Sequence, residues 1–287
     1  MHLRMLSGTW NYLLPLEFLD AISRLYGPSL QGMYWNDHPS IITKNSSASL
    51  EFLGSFSSLR VLDLCNFWGE INRKLSPALP EVQTLIISDA DHSLAAATAL
   101  LLPSLQNLIL KAYSHVTPVH LLGSFLNVHG ASLVTLDLPS PASESDPEPA
   151  NTSHIRRAAA HTNVDIFLQN NRCPNLMTLT FPVTSPPLSS DIKHPLRRIG
   201  LRGVRAGSLY PDKPTPTRRH LMSFTPDRYP KLEVVKTVDF LVDADTDSSI
   251  KDVFIWWVEK FEKQAVDFLD GEGVLWEYAP DSSLPLE

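Results

Sequence analysis

Cysteine is scarce in this 287-residue chain, which holds only Cys65 and Cys173. Two thiols so far apart build no disulfide framework and supply no four-ligand zinc site, and their scarcity favours a reducing compartment. No apolar run approaches the roughly 20 residues that a membrane-spanning helix needs. The opening "MHLRMLSGTWNYLLPLEFLDAISRL" is interrupted by Glu17 and Asp20 and shows no small-residue cleavage site, so no secretory leader is read there. The sequons at Asn45 and Asn151 are accordingly incidental, and a cytoplasmic or nuclear location is expected. A nucleophile elbow, a glycine-rich phosphate loop and a dinucleotide fingerprint are all missing. The ten histidines, among them His115, His120, His129, His154 and His161, form no H-x-x-x-H pair and no HExxH unit. Nothing in the sequence invites an enzyme, and no catalytic residue, cofactor or metal site is assigned. A net charge of -7 excludes a surface built wholly for nucleic acid or anionic lipid.

What the chain does have is leucine in a recurring pattern. With 43% hydrophobic residues it can bury a sizeable core. The stretch "LPSLQNLIL" (102–110) places Leu105, Leu108 and Leu110 at L-x-x-L-x-L spacing. The same spacing returns in "SSLRVLDL" (57–64), "PEVQTLII" (80–87), "ASLVTLDL" (131–138) and "PNLMTLTF" (174–181). Weaker copies are "PSLQGMYW" (28–35), "HPLRRIGL" (194–201) and "PKLEVVKT" (230–237). The first key positions are Leu30, Leu59, Val82, Leu105, Leu133, Leu176, Leu196 and Leu232, at intervals of 29, 23, 23, 28, 43, 20 and 36 residues. The short intervals match the roughly 20 to 29 residues of a leucine-rich repeat. Key positions four and six share one face of a strand, and position one enters from the preceding turn, so all three can point inward. Pro103, Pro174 and Pro230 precede position one, as suits a chain turning into a strand.

Helix-like segments alternate with these strands: 94–102, 119–128 and 158–170, with 15–26 read as the helix of the first repeat. The expected fold is an α/β leucine-rich-repeat solenoid, a curved parallel sheet with helices on its convex side. An ordinary α/β domain is the remaining alternative. Residues 1–242 are assigned to about eight irregular repeats. They carry a disordered acidic insertion near 139–153 and a proline-rich loop at 210–220. Residues 243–287 are assigned to a C-terminal capping helix and tail. The helix shows an apolar stripe of Val253, Trp257, Phe261, Ala265 and Phe268 and is expected to end at Gly271. The Trp256–Trp257 pair reads as core packing ahead of a binding platform.

The stretch "CPNLMTLTF", the irregular repeat lengths and the C-terminal "WWVEKFEKQAVDFLDGEGVLW" resemble the large group of fungal F-box proteins with degenerate leucine-rich repeats. That resemblance covers roughly residues 15–278. It implies a substrate receptor of an SCF-type ubiquitin ligase, with an adaptor subunit and a target protein as partners. "LLPLEFLDAISRL" (13–25) is similar to the opening of an F-box, and "PSLQGMYW" follows at once, so the F-box is expected to be truncated or encoded elsewhere.

Two further constellations compete for attention. Asp243, Asp245 and Asp247 have the alternate spacing that opens a calcium loop, but Ser248 stands where glycine is needed and Phe254 where a bidentate glutamate belongs. The favoured reading is the acidic flank of a helix capped by Ser249 and Asp252. Residues 193–219 hold Lys193, Arg197, Arg198, Arg202, Arg205, Lys213, Arg218 and Arg219 against one acid, Asp212. A solvated face is the plain reading; a patch for an acidic partner, a phosphopeptide or nucleic acid is the functional one. Tyr210 is the segment's single aromatic, which disfavours RNA.

Strand residues between the buried positions would face outward on the concave side. By alignment they are Val61 and Asp63, Thr84 and Ile86, Asn107 and Ile109, Thr135 and Asp137, Thr178 and Thr180, then Arg198 with Arg202 just past the strand. The leading functional expectation is a non-enzymatic protein-interaction module using that row, with no membrane partner. A nucleic-acid or phosphopeptide binder through 193–219 is the alternative, and a metal-dependent hydrolase built on scattered Asp and His ranks below it.

Overall fold

The computed structural model describes residues 3–9, 16–36, 50–65, 77–111, 119–139, 163–243 and 245–277. Among the described residues, ten parallel strands form one sheet whose spatial order is their sequence order. They are β1 (Met5–Thr9), β2 (Gly32–Asn36), β3 (Val61–Asp63), β4 (Thr84–Ser88), β5 (Asn107–Lys111), β6 (Thr135–Asp137), β7 (Thr178–Pro182), β8 (Arg198–Arg202), β9 (Val234–Thr237) and β10 (Asp267–Leu269). Parallel neighbours require a crossover between them, so this order is what successive strand-and-crossover coils produce, consistent with a leucine-rich-repeat-like arrangement. The chain divides into two compact units between Leu176 and Met177.

In the first unit, Met33, Leu62, Leu85, Leu108 and Leu136 lie in lateral register across β2 to β6, and all are buried. Position one of each coil, Leu30, Leu59, Val82, Leu105 and Leu133, is buried beneath this row. Each such aliphatic side chain contributes about 1.5–3 kcal/mol through burial. The turn that delivers position one is built the same way repeatedly. The amides of Leu59, Val82, Leu105 and Leu133 donate to the carbonyls three residues earlier, on Phe56, Leu79, Leu102 and Gly130. The next amide then bonds sideways: Arg60 to Gln31, Gln83 to Arg60, Gln106 to Gln83 and Val134 to Gln106. Position two therefore stitches each coil to the one before it.

The crossovers of this unit carry α1 (Leu16–Tyr26), α2 (Asp91–Ala99), α3 (Val119–His129) and the short α4 (Asp165–Leu168). Helix α1 stands between β1 and β2, and Asp20 pairs with Arg24 one turn along it. Helix α2 starts earlier and ends sooner than 94–102, because Leu100 is already extended. Its Ser93 hydroxyl is buried, accepting from the Ser88 amide at 3.0 Å and donating to the Leu64 carbonyl at 3.1 Å. Two backbone groups are thereby satisfied where water does not reach. Helix α3 buries Leu122, Phe125, Leu126 and His129, and His129 Nε2 lies 3.2 Å from the Ala97 carbonyl of α2. Of the helix expected at 158–170, α4 is the part within the described residues. The acidic insertion lies outside them except for Pro139, as do both sequons and His115, His154 and His161.

In the second unit, Leu179, Ile199, Val235 and Phe268 form an inner row across β7 to β10, and Phe181, Leu201 and Thr237 form another. Part of the expected proline-rich loop at 210–220 is helical: α5 (Pro216–Ser223) has Pro216 in its first turn, and Thr215 caps it by accepting from the Arg218 amide at 3.1 Å. Helix α6 (Ser248–Glu262) is capped by Asp247, which accepts from the Ser249 amide at 2.8 Å, in place of the expected Ser249–Asp252 pair. It ends at Glu262, and the chain leaves through Ala265 at φ 56°, well before Gly271. Phe254, Ile255, Trp257, Val258 and Phe261 are buried, and the Trp257 indole donates to the Leu209 carbonyl at 2.7 Å. Trp256 stays 40% exposed, with the Lys260 ammonium 5.4 Å from its ring centre.

The expectation of a helix that closes the fold after the last strand is corrected here, because β10 follows α6 and pairs with β9. A strand β1 likewise precedes α1 and pairs with β2. Both strands carry degenerate versions of the spacing, Leu3-x-x-Leu6-x-Gly8 and Ala265-x-x-Phe268-x-Asp270. Asp270 is buried at the position where the coils of the first unit place Leu64, Ile87, Leu110 and Leu138. Its carboxylate accepts from the Glu272 amide at 3.0 Å, the Val274 amide at 2.9 Å and the Trp276 indole at 3.0 Å, so it organises the turn after β10.

Candidate interaction surface

A strand that buries alternate residues turns the others to its opposite face. In the first unit this second set forms two rows in register. Val61, Thr84, Asn107 and Thr135 make one; Asp63, Ile86, Ile109 and Asp137 make the other. Adjacent members stand about 4.8 Å apart, the strand spacing. Val61, Thr84, Asn107, Thr135, Ile109 and Asp137 are partly accessible, and the Asn107 amide donates to the Thr84 hydroxyl at 3.3 Å.

Two members of the expected surface are closed. Asp63 is 2% exposed and Ile86 7%, although alternation turns both outward. The Asp63 carboxylate accepts from the Cys65 amide at 2.9 Å and is used in the turn that ends β3. Ile86 lies beside it in the row, an aliphatic side chain buried between Asp63 and Ile109. The accessible part of this face is therefore centred on Asn107, Ile109, Thr135 and Asp137.

In the second unit the outward rows are Thr178, Arg198, Val234 and Asp267, then Thr180, Gly200, Lys236 and Leu269. Pro182 and Arg202 begin a third, so Arg202 belongs to β8 and does not lie past it. Thr178 and Thr180 are partly accessible and Arg198 is exposed. Arg202 is held by Asp239 at 3.5 Å, and Asp239 also accepts from the Gly203 amide at 3.2 Å. Gly200 is needed for close packing: a Cβ there would stand 2.8 Å from Thr180 Oγ1 and 3.0 Å from Val238 Cγ2. Val234, Lys236 and Asp267 complete the face. The first two were readable as positions three and five of "PKLEVVKT"; Asp267 was hidden because its own coil lacks the leucines.

The eight cations of 193–219 do not gather into one patch. Arg198 and Arg202 share the outward face of β8, while Arg197 pairs with Glu233 at 3.0 Å. Lys213 sits 4.2 Å over the Tyr210 ring, and the Arg218 guanidinium donates to the Pro211 carbonyl. Lys193, Arg205 and Arg219 are exposed.

The remaining candidates serve the fold. The hydrogen bond from the Thr246 hydroxyl holds the Asp243 carboxyl below its ordinary range, and that from the Ser249 hydroxyl does the same for Asp247. Among the described residues no group of three or more His, Cys, Asp or Glu side chains is placed to hold a metal ion. His129 and His220 are buried, and burial pushes both imidazoles below their usual range. Cys173 is buried too, and burial pushes its thiol up to about 12. No helix among the described residues is long and apolar enough to cross a membrane. Comparison with family models, with curated proteins and with solved structures finds no match to this chain.

Proposed function

We propose that the chain is a leucine-rich-repeat solenoid acting as a non-enzymatic protein-interaction module. The observation that carries this reading is the lateral register of the outward rows. Thr84, Asn107 and Thr135 stand side by side on three strands, with Ile109 and Asp137 in the next row. Hydrogen-bonded strands hold these side chains at fixed spacing, and a rigid array of small polar and aliphatic groups suits a protein surface better than a small molecule. A cytoplasmic or nuclear setting fits the scarcity of cysteine.

Affinity capture with the full chain tests the proposal. Wild type is compared with Ile109→Glu on the outward row and with Ser124→Glu on the exposed side of α3. The expected result is a set of co-purifying proteins retained by the Ser124 variant and lost by the Ile109 variant. Equal recovery from all three overturns it. The narrower role of ubiquitin-ligase receptor is supported by the sequence resemblance alone. Direct binding to a purified SCF adaptor subunit is its test, and absence of binding removes the ligase role while leaving the module.

A further inference from the structure

We propose that the outward face of β7 to β10 binds an acidic protein segment in extended conformation, with its carboxylates four residues apart. This rests on the interaction-module reading and names the partner's chemistry. Arg198, Gly200 and Arg202 occupy alternate positions of β8 on that face, opposite the buried Ile199 and Leu201. The two arginines are therefore about 13 Å apart along the strand. Between them Gly200 presents no side chain, and the Thr180 and Val238 side chains cover its backbone, so the stretch between the two arginine positions is lined by small uncharged groups. Lys236 stands beside Gly200 in register, and its ammonium reaches toward the turn after β10, near Gly273, which puts a further cation at the edge of this face.

The charges decide what fits. Arg198 is exposed and has no ion-pair partner among the described residues. Arg202 is oriented by Asp239 at 3.5 Å, and the five donors of a guanidinium let it serve several acceptors at once, an incoming carboxylate among them. The acid of Arg198's own row, Asp267, lies two strands away, about 10 Å. An anion is therefore attracted to both arginine positions. In an extended peptide, side chains four residues apart lie on one face at the same spacing of about 13 Å. In a helix they are only about 6 Å apart and cannot reach both arginines. The surface selects an extended acidic chain over a helical one. Among the described residues, the outward rows of β7 to β10 carry no aromatic side chain on which a nucleic-acid base could stack.

Fluorescence anisotropy with the full chain tests this, using labelled peptides of Thr and Val that carry two glutamates. One peptide has them four residues apart, one has them adjacent, and one alanine-rich helical peptide has them at i and i+4. A single-stranded RNA oligonucleotide is the fourth probe. The first peptide is expected to bind best, with affinity falling as salt rises. Arg198→Ala and Arg198→Glu should weaken it, the reversal by about tenfold, while Arg205→Glu, the same charge change off this face, leaves it intact. Equal binding of all three peptides, equal loss from Arg205→Glu, tighter binding of RNA, or no binding at low salt overturns the proposal. If it fails while Ile109→Glu still abolishes capture, the module stands without an acidic partner on this face. If Ile109→Glu has no effect but Arg198→Glu does, the reverse holds.

Discussion

The ring of Phe268 on β10 stacks on that of Phe261 on α6, with centroids 5.4 Å apart and planes 7° from parallel. Phe254 lies 4.8 Å from the same ring at a tilt, and Trp257 is 6.4 Å away. One strand residue thus gathers the aromatic face of a whole helix. Phe268→Ala is expected to cost about 3–5 kcal/mol, read from chemical denaturation of the purified chain. Trp256→Ala, on the open side of α6, should cost less than about 1 kcal/mol. Equal losses from the two would mean that the stack does not hold the last strand.

Asp270 gives the same region a dependence on acid. Burial pushes its carboxyl up, and the N–H groups of Val274, Trp276, Val242 and Glu272 together outweigh that and leave it lowered. A carboxyl lowered on folding adds stability above its unfolded pKa, near 3.9, and the gain disappears as pH falls through the folded value. Asp270→Asn sets an amide donor against a cluster of donors and should cost about 1–3 kcal/mol at neutral pH. The variant's Trp276 emission should shift as the indole loses its acceptor, and an unchanged spectrum and melting temperature would count against this role.

His220 acts at milder pH. Its Nε2 lies 3.2 Å from the Ser185 carbonyl, and its ring meets Phe181 edge-on at 5.1 Å. Burial, joined by the neighbouring Arg219 charge, lowers its pKa against the pull of the Ser185 and Val183 carbonyls, and burial lowers that of His129 against the Ala97 carbonyl. Both rings are then neutral in the fold and charge more readily when unfolded. The sign follows: stability is full above about pH 6.5 and declines as pH drops below it. The melting temperature should fall between pH 7.5 and 5.5, and His220→Gln should flatten that slope.

Cys173 offers a check that needs no substitution. With its thiol pushed up to about 12 and its side chain buried, it carries almost no thiolate at neutral pH. Cys65 is buried as well. Neither thiol should react with a disulfide reagent in native protein, and both should react once guanidinium unfolds it. Rapid labelling under native conditions would show that these coils open readily.

The inner rows were legible because every middle coil repeats one steric demand. Leu62, Leu85, Leu108 and Leu136 each fill the same space against neighbours on both sides, so the spacing returns undiluted. β1 and β10 each have a single neighbour within the described sheet, and the demand relaxes there. Gly8 and Asp270 at position six and Ala265 at position one hide these strands from a search for leucine. Of the outward face, Asn107, Ile109, Thr135, Thr178, Thr180 and Arg198 followed from alternation alone. Asp63 did not, because a carboxylate that can turn back onto a backbone amide two residues on obeys its own turn and not the pleat. The charge run of 193–219 was plain in the sequence. Its division between strand, turn and helix was not, since linear density says nothing about which side chains share a face.

The sideways bond from Arg60 to Gln31, repeated at Gln83, Gln106 and Val134, ties each of these turns of the first unit to the one that precedes it in the chain. A unit stitched in that order has a mechanical grain. Drawn out from one end under load, its strands β2 to β6 should be released singly and in succession, as a zip opens, because each described strand there pairs with its neighbours in the chain.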